Sequence, residues 1–400
     1  MTTPLRRRLV VATLVAATTA AVLTGCGGAD AAPDASAGAQ PAGWVRLPPS
    51  PLSARENATA VWVGGQVLVL GGDTTPCPPN ASCVAAPAGT APREAAAYDP
   101  ETATWSRIAD LPVDVGFPST VVVGDRLYLW QQDWPAEGVV TGAFLTYDAA
   151  ADRWRALATP EVGLTGLALT SAGGRVLAYR TSHDVRREPD LMYDPAADAW
   201  SPLPQDPFPP MFDRTLVGLD DGRTVLLGSA LVENPGGPEP SLYEGAVLDA
   251  ARTTWTRLVP SDVVASGPVW LVSGGLVVNP SQGTLDGGEV DNWGRAYRTG
   301  GAFDPDGGRW LAVPEHAVRA GWSGAPTAGP GFVAVRPWLL RTPSLQWERM
   351  DDQPAPLDDR SGAAETWAGD RLFVWGGVRY GKGTGLGELH ADGWTWRPAG

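Results

Sequence analysis

One spacing recurs along this chain and restricts what it can fold into. Tyr98-Asp99 precedes Trp105, Tyr147-Asp148 precedes Trp154, Tyr193-Asp194 precedes Trp200, Leu248-Asp249 precedes Trp255 and Phe303-Asp304 precedes Trp310. Each time a large apolar residue stands seven positions ahead of the tryptophan. Two weaker copies, Leu340 to Trp347 and Leu389 to Trp396, keep the spacing without the aspartate. Aspartate bonds its own downstream backbone and proline presets φ, so Asp or Asp-Pro between apolar runs reads as a tight turn. The residues before it form one strand and those around tryptophan the next, with both aromatics on one face at period two.

A second hairpin lies upstream of each copy. Its turns are Gly64-Gly65, Gly124-Asp125, Gly173-Gly174, Asp221-Gly222, Gly274-Gly275, Gly329-Pro330-Gly331 and Gly369-Asp370, most of them between apolar β-branched runs. Each unit is therefore four short antiparallel strands. From Trp105 to Trp396 the tryptophans fall 49, 46, 55, 55, 37 and 49 residues apart. That is the period of a propeller blade. No stretch after the amino-terminal segment sustains a 3.6-residue apolar period, so a helical solenoid is excluded.

Strand, double glycine (Leu70-Gly71-Gly72, Trp375-Gly376-Gly377), variable loop, Tyr-Asp-Pro with a six-residue gap from the tyrosine to Trp, then Leu-Pro and an arginine resembles the kelch repeat. Trp44 through Arg55 and Trp347 through Arg360 carry the Trp-to-Arg half. The resemblance spans about residues 43–400 and implies an all-β kelch-type β-propeller of seven four-stranded blades, with six as the alternative. Trp44 is expected on a strand that pairs with the last blade and closes the ring, leaving no open edge. Tryptophans at a fixed period are expected to pack blade against blade.

The amino terminus reads as an address. Arg6, Arg7 and Arg8 precede an uncharged apolar run, Leu9 to Val22, and then Leu23-Thr24-Gly25-Cys26. The run is shorter than the roughly 20 residues of a spanning helix. The segment resembles a bacterial lipoprotein signal, which implies residues 1–25 cleaved, Cys26 acylated, and an extracytoplasmic protein lipid-anchored to the cell membrane. The arginine pair also fits a twin-arginine export signal. Residues 26–42 hold no large apolar residue and read as a flexible tether. Cys77 and Cys83 are then the two remaining cysteines, and outside the cytoplasm they are expected to form a disulfide rather than a metal site.

The net charge is −14, and only Lys382 among the 30 bases is a lysine. Such a chain gains nothing from counterion release on phosphate backbones, so nucleic-acid binding is not expected. A monomer is expected. No cofactor, metal or catalytic set is legible. The fold of galactose oxidase resembles that of kelch proteins, but its copper needs paired histidines and tyrosines, and His183, His316 and His390 fall in different blades. A sialic-acid mutarotase would need an acid, a base and an arginine at the mouth, and no motif selects them.

What remains is surface. The longest loops, 73–94, 131–142, 181–190, 230–242 and 280–301, differ from blade to blade while the strands repeat. Binding sites are usually built from loops on a rigid scaffold. The candidates on the ligand face are Arg55, Arg360, Arg186, Arg187, Phe212, Asp213, Trp293 and Trp322. For each arginine, a structural bond to loop carbonyls competes with a ligand contact. The expected function is a binding module for a protein or glycan. The alternative is a carbohydrate-active enzyme of the mutarotase or galactose-oxidase type.

Overall fold

The computed structural model describes residues 42–76, 91–133, 140–160, 166–181, 188–230, 242–263, 269–281, 284–286, 296–298, 300–315, 326–350, 352–381 and 387–399. They belong to one compact unit, Pro41–Gly400. Among them the strands form seven four-stranded antiparallel sheets. Sheet one is Thr59–Val63, Gln66–Leu70, Ala95–Asp99 and Thr104–Ile108; sheet two is Ser119–Val123, Arg126–Asp133, Thr141–Asp148 and Arg153–Leu157. Sheet three is Leu167–Ala172, Arg175–Arg180, Leu191–Asp194 and Ala199–Pro202; sheet four is Met211–Gly218, Thr224–Ala230, Tyr243–Leu248 and Trp255–Arg257. Sheet five is Leu271–Ser273, Leu276–Asn279, Gly301–Asp304 and Arg309–Leu311; sheet six is Thr327–Gly329, Phe332–Val335, Trp338–Arg341 and Gln346–Arg349. Sheet seven joins the two ends of the unit: Ala364–Ala368, Arg371–Trp375, Gly393–Arg397 and, outermost, Gly43–Arg46.

The first strands touch one another in sequence, sheet one to sheet two and onward to sheet seven, and sheet seven touches sheet one again. They surround a central axis, and the result is a β-propeller-like all-β fold. All seven Gly-bearing turns of the sequence reading join a first strand to a second.

There is no single core. Each apolar cluster lies between consecutive sheets, and the last one, with Phe373 and Trp375 against Val67, Val69 and Tyr98, joins sheet seven to sheet one. Second strands are buried on both faces, which explains their unbroken apolar runs. In Gln66–Leu70, Leu68 and Leu70 face sheet two while Val67 and Val69 face sheet seven. Each such side chain, fully buried, contributes roughly 1.5–3 kcal/mol.

The repeat tryptophans do more than fill space. Six donate Nε1–H to the carbonyl just after the outer strand of the preceding sheet. These bonds are Trp105 to Pro48 at 3.1 Å, Trp154 to Ala109 at 3.0 Å, Trp200 to Ala158 at 2.7 Å, Trp255 to Pro204 at 2.9 Å, Trp310 to Val259 at 2.9 Å and Trp347 to Pro314 at 2.8 Å. A buried indole N–H needs an acceptor, and here the acceptor ties neighbouring sheets together. The aspartates act as turn formers: Asp99 Oδ1 accepts the amide of Glu101 at 2.8 Å, and Asp249 Oδ1 that of Thr253 at 2.7 Å.

The last copy of the repeat needs correction. Trp396 sits on the third strand of sheet seven, directly opposite Trp44. It therefore takes the place of the tyrosines, and Trp44 takes the place of the repeat tryptophans. Leu389 belongs to a separate small sheet of Arg360–Ser361, Val378–Tyr380 and Gly387–Leu389. The seven-residue spacing from Leu389 to Trp396 is coincidental, because the repeat is split between the two ends of the chain.

Candidate functional site

Antiparallel strands place the second-to-third connections and the links between sheets at the same end of the ring. This rim carries the long loops. Arginines built into it bond residues at the feet of those loops. Arg55, 1% exposed, donates Nη1–H to the Gly71 carbonyl at 3.0 Å and Nη2–H to Ser53 Oγ at 2.8 Å and Glu94 Oε2 at 3.0 Å. Arg360, also 1% exposed, occupies the matching place in sheet seven, with Nη1 bonded to the Gly376 carbonyl at 3.1 Å and 3.0 Å from Asp392 Oδ1. Gly71 and Gly376 have φ of 58° and 72°, the left-handed region glycine favours, as the strand turns toward the guanidinium. Gly377 N–H then bonds the Arg55 carbonyl at 2.9 Å, linking sheet seven to sheet one.

Two further clamps were not visible in the sequence. Arg214 lies at the bulge of sheet four, bonded to both oxygens of Asp190 at 3.1 and 2.8 Å, to Asp206 at 3.1 Å and to the Arg180 carbonyl at 2.9 Å. Arg336 donates to Glu365 Oε1 from Nε at 2.9 Å and from Nη2 at 2.5 Å. Close by Arg360, His390 Nδ1 is 3.9 Å from Asp392 Oδ1, and burial first, then the Arg360 charge, lower its pKa from the ordinary 6.5. Tyr380, whose hydroxyl is 3.4 Å from Glu56 Oε2, titrates above its usual range because of burial and then that carboxylate. Among the described residues no three His, Cys, Asp or Glu side chains gather as a metal site.

The mouth of the ring has its own pattern. Two positions ahead of a first strand the backbone turns left-handed: Asn57 (φ 55°) before Thr59, Phe117 (φ 52°) before Ser119 and Gly362 (φ 61°) before Ala364. In sheet four a bulge between Phe212 and Thr215 puts Asp213 (φ 52°) two positions before pairing resumes at Thr215. The Asn57 amide donates to the Gly362 carbonyl at 2.7 Å, so neighbouring members of this series are linked.

Phe117 stands out within the series. It is 82% exposed, and among the described residues no other aromatic ring is in the exposed class. It is bulky, left-handed and followed by Pro118, and each of these conditions disfavours the others. The segment is nonetheless pinned. Gly116 N–H bonds Gln131 Oε1 at 3.0 Å, Val115 is 1% exposed, and Ser119 Oγ accepts the Leu169 amide of the next sheet at 2.7 Å.

Of the residues singled out in the sequence, the structure brings Arg55 and Arg360 together at one junction and sets Asp213 in the mouth series. Phe212 lies on the first strand of sheet four. Cys26, Cys77, Cys83, Arg186, Arg187, Trp293 and Trp322 lie outside the described residues. Phe117 and Asn57 were missed. Aligning the segments ahead of the first strands, Arg55 to Thr59, Val115 to Ser119 and Arg360 to Ala364, is the signal that finds them.

No protein-family profile matches the chain. No curated protein matches it. A solved structure described as "Structure of YjhT" is similar at a TM-score of 0.45 and 14% identity, covering 87% of this chain and 96% of that one.

Proposed function

We propose that the chain is a kelch-type propeller of seven blades, exported as a lipoprotein, held at the membrane by acylated Cys26 and the tether 26–42, and serving as a binding module for a protein or glycan ligand. The observation that carries this reading is the rim. A closed series of sheets presents its long loops at one end, and buried arginines lock the feet of those loops in place. Feet held in place reduce the entropy lost on binding, which favours recognition. Arg55 and Arg360 serve this reading as supports for the rim.

Two experiments test it. A Cys26→Ala variant should leave the membrane fraction; retention there would end the address half. Crosslinking of the full-length protein on intact cells, followed by a glycan panel, should yield a saturable partner whose binding falls on exchanging a rim loop. Absence of any partner would end the binding half. The second reading, a carbohydrate-active enzyme, draws on the buried Glu56 beside the Tyr380 hydroxyl. Anomer exchange or oxidation across a sugar panel, lost on Glu56→Gln, would favour it.

A further inference from the structure

We propose that the side edge of Arg360, Nε and Nη2, is a binding site for a carboxylate carried on a slender stem. The site stands whether the rim serves a binding module or an enzyme. Arg55 and Arg360 occupy one place in two sheets. Each sends Nη1–H to the first carbonyl of a double glycine, Gly71 or Gly376. Each also has Nη1 beside the carbonyl of the residue just before a third strand, Glu94 at 3.4 Å or Asp392 at 3.3 Å. Their side edges differ. Arg55 spends Nε on the Ser53 carbonyl at 3.1 Å and Nη2 on Ser53 Oγ and Glu94 Oε2. Asp392 is one methylene shorter than Glu94. Its Oδ1 lies 3.0 Å from Nη1 of Arg360, and its Oδ2 faces Arg46 at 3.4 Å. Asp358, in the place of Ser53, accepts from Gln353 at 2.9 Å. Among the described residues nothing accepts from Nε or Nη2 of Arg360, and both atoms are buried.

A buried guanidinium with two unspent N–H groups is costly. These two N–H groups are parallel and coplanar, the fork that matches the two oxygens of one carboxylate. The chain itself uses the match at Arg336, whose Nε and Nη2 both donate to Glu365. Arg360 lies over Trp394, with its central carbon 5.4 Å from the ring centre, and stacking of this kind fixes the guanidinium plane. His390 Nε2 is also buried without a partner, and the imidazole lies within the field of Arg360. In its Nε2–H form it adds a third donor. The neighbours select the ligand. The Arg360 side chain is 0% exposed, while those of His390 and Asp392 are 14% and 29% exposed. A ligand that enters past these two carries its carboxylate on an unbranched stem, and an acid group attached directly to a saturated ring is too bulky. Asp392 beside Arg360, and Glu388 on the adjacent Arg379, favour a monoanion over a dianion such as phosphate.

The test titrates full-length protein at constant ionic strength, following bound ligand by NMR and Tm in parallel. The probes are acetate and a peptide with one glutamate and both ends blocked; chloride, phosphate and cyclohexanecarboxylate are the controls. A probe should bind saturably and raise Tm, and the controls should not. Saturation by acetate alone assigns the site to small free acids, and saturation by the peptide assigns it to a side chain offered by a partner; either supports the proposal. Asp392→Glu gives the chain's own carboxylate the reach of Glu94. It should raise Tm without ligand and weaken probe binding about tenfold or more, the size of a lost charge-assisted hydrogen bond. Arg360→Lys keeps the charge without the fork and should weaken binding by a similar factor. A merely structural Arg360 would lower Tm in Arg360→Lys and leave Asp392→Glu without effect. Equal binding of chloride or phosphate, or full probe binding by Asp392→Glu, overturns the proposal. So does the failure of both probes to bind; if crosslinking then still captures a partner through the rim, the binding-module reading stands and the carboxylate site alone falls.

Discussion

The Arg336–Glu365 pair offers a demanding test of how the last sheets are joined. Arg336 follows the second strand of sheet six and Glu365 lies in the first strand of sheet seven. Their side chains are 0% and 5% exposed, so solvent screening is slight. Two guanidinium nitrogens converge on Glu365 Oε1, and Nη1 reaches the Leu357 carbonyl at 3.4 Å. Replacing Arg336 by leucine strands a buried carboxylate, which costs about 3–5 kcal/mol. Glu365→Leu strands the guanidinium and should cost a similar amount. The double variant carries no unpaired charge and should recover much of the loss, giving a coupling of about 2 kcal/mol or more. Equilibrium urea unfolding of the four proteins measures this. If Arg336→Leu lies within about 1 kcal/mol of wild type, or if the two losses simply add, the pair does not hold sheets six and seven together.

Gly218→Ala should destabilise strongly, by about 1–3 kcal/mol or more, because a Cβ there would lie 1.7 Å from the Ser171 carbonyl of sheet three; a Tm equal to wild type would show that the sheets are not so closely apposed. Trp200→Phe keeps the ring packing but deletes the 2.7 Å bond to Ala158, and should cost about 1 kcal/mol by urea titration. His390 has a folded-state pKa below the unfolded value of 6.5, so the unfolded chain takes up its proton first as pH falls. Its contribution to stability is therefore present above 6.5 and is lost as pH drops through that value toward the folded pKa. His390→Gln should flatten that part of the stability–pH curve, and an unchanged curve would show that this histidine is not the group responsible.

The seven hairpin turns and the aspartate turns were legible because glycine and aspartate act locally, through φ and through bonds two residues away. The unbroken apolar second strands follow from burial between two sheets, as in Gln66–Leu70. What spacing could not reveal is what topology decides. Trp44 replaces Trp396 as the seventh repeat tryptophan because closure pairs residues about 350 positions apart, Trp44 with Trp396. Arg55 and Arg360 look like ligand arginines in sequence, yet their partners are the carbonyls of Gly71 and Gly376, which no motif announces. Phe117 escaped notice because an isolated phenylalanine reads as core, and only its exposure and φ mark it out.

Ring closure supports every statement about the rim, and a crosslink tests it directly. Val45 in the outer strand of sheet seven stands opposite Thr395. Paired residues of an antiparallel ladder have Cα atoms about 4.5–5.5 Å apart, within disulfide reach. In full-length Val45→Cys/Thr395→Cys protein, oxidation should join the two peptides, as read by mass spectrometry, and stabilise the fold by about 2–5 kcal/mol. A pair that stays reduced in folded protein would mean that the chain ends do not meet, and the ring would be open.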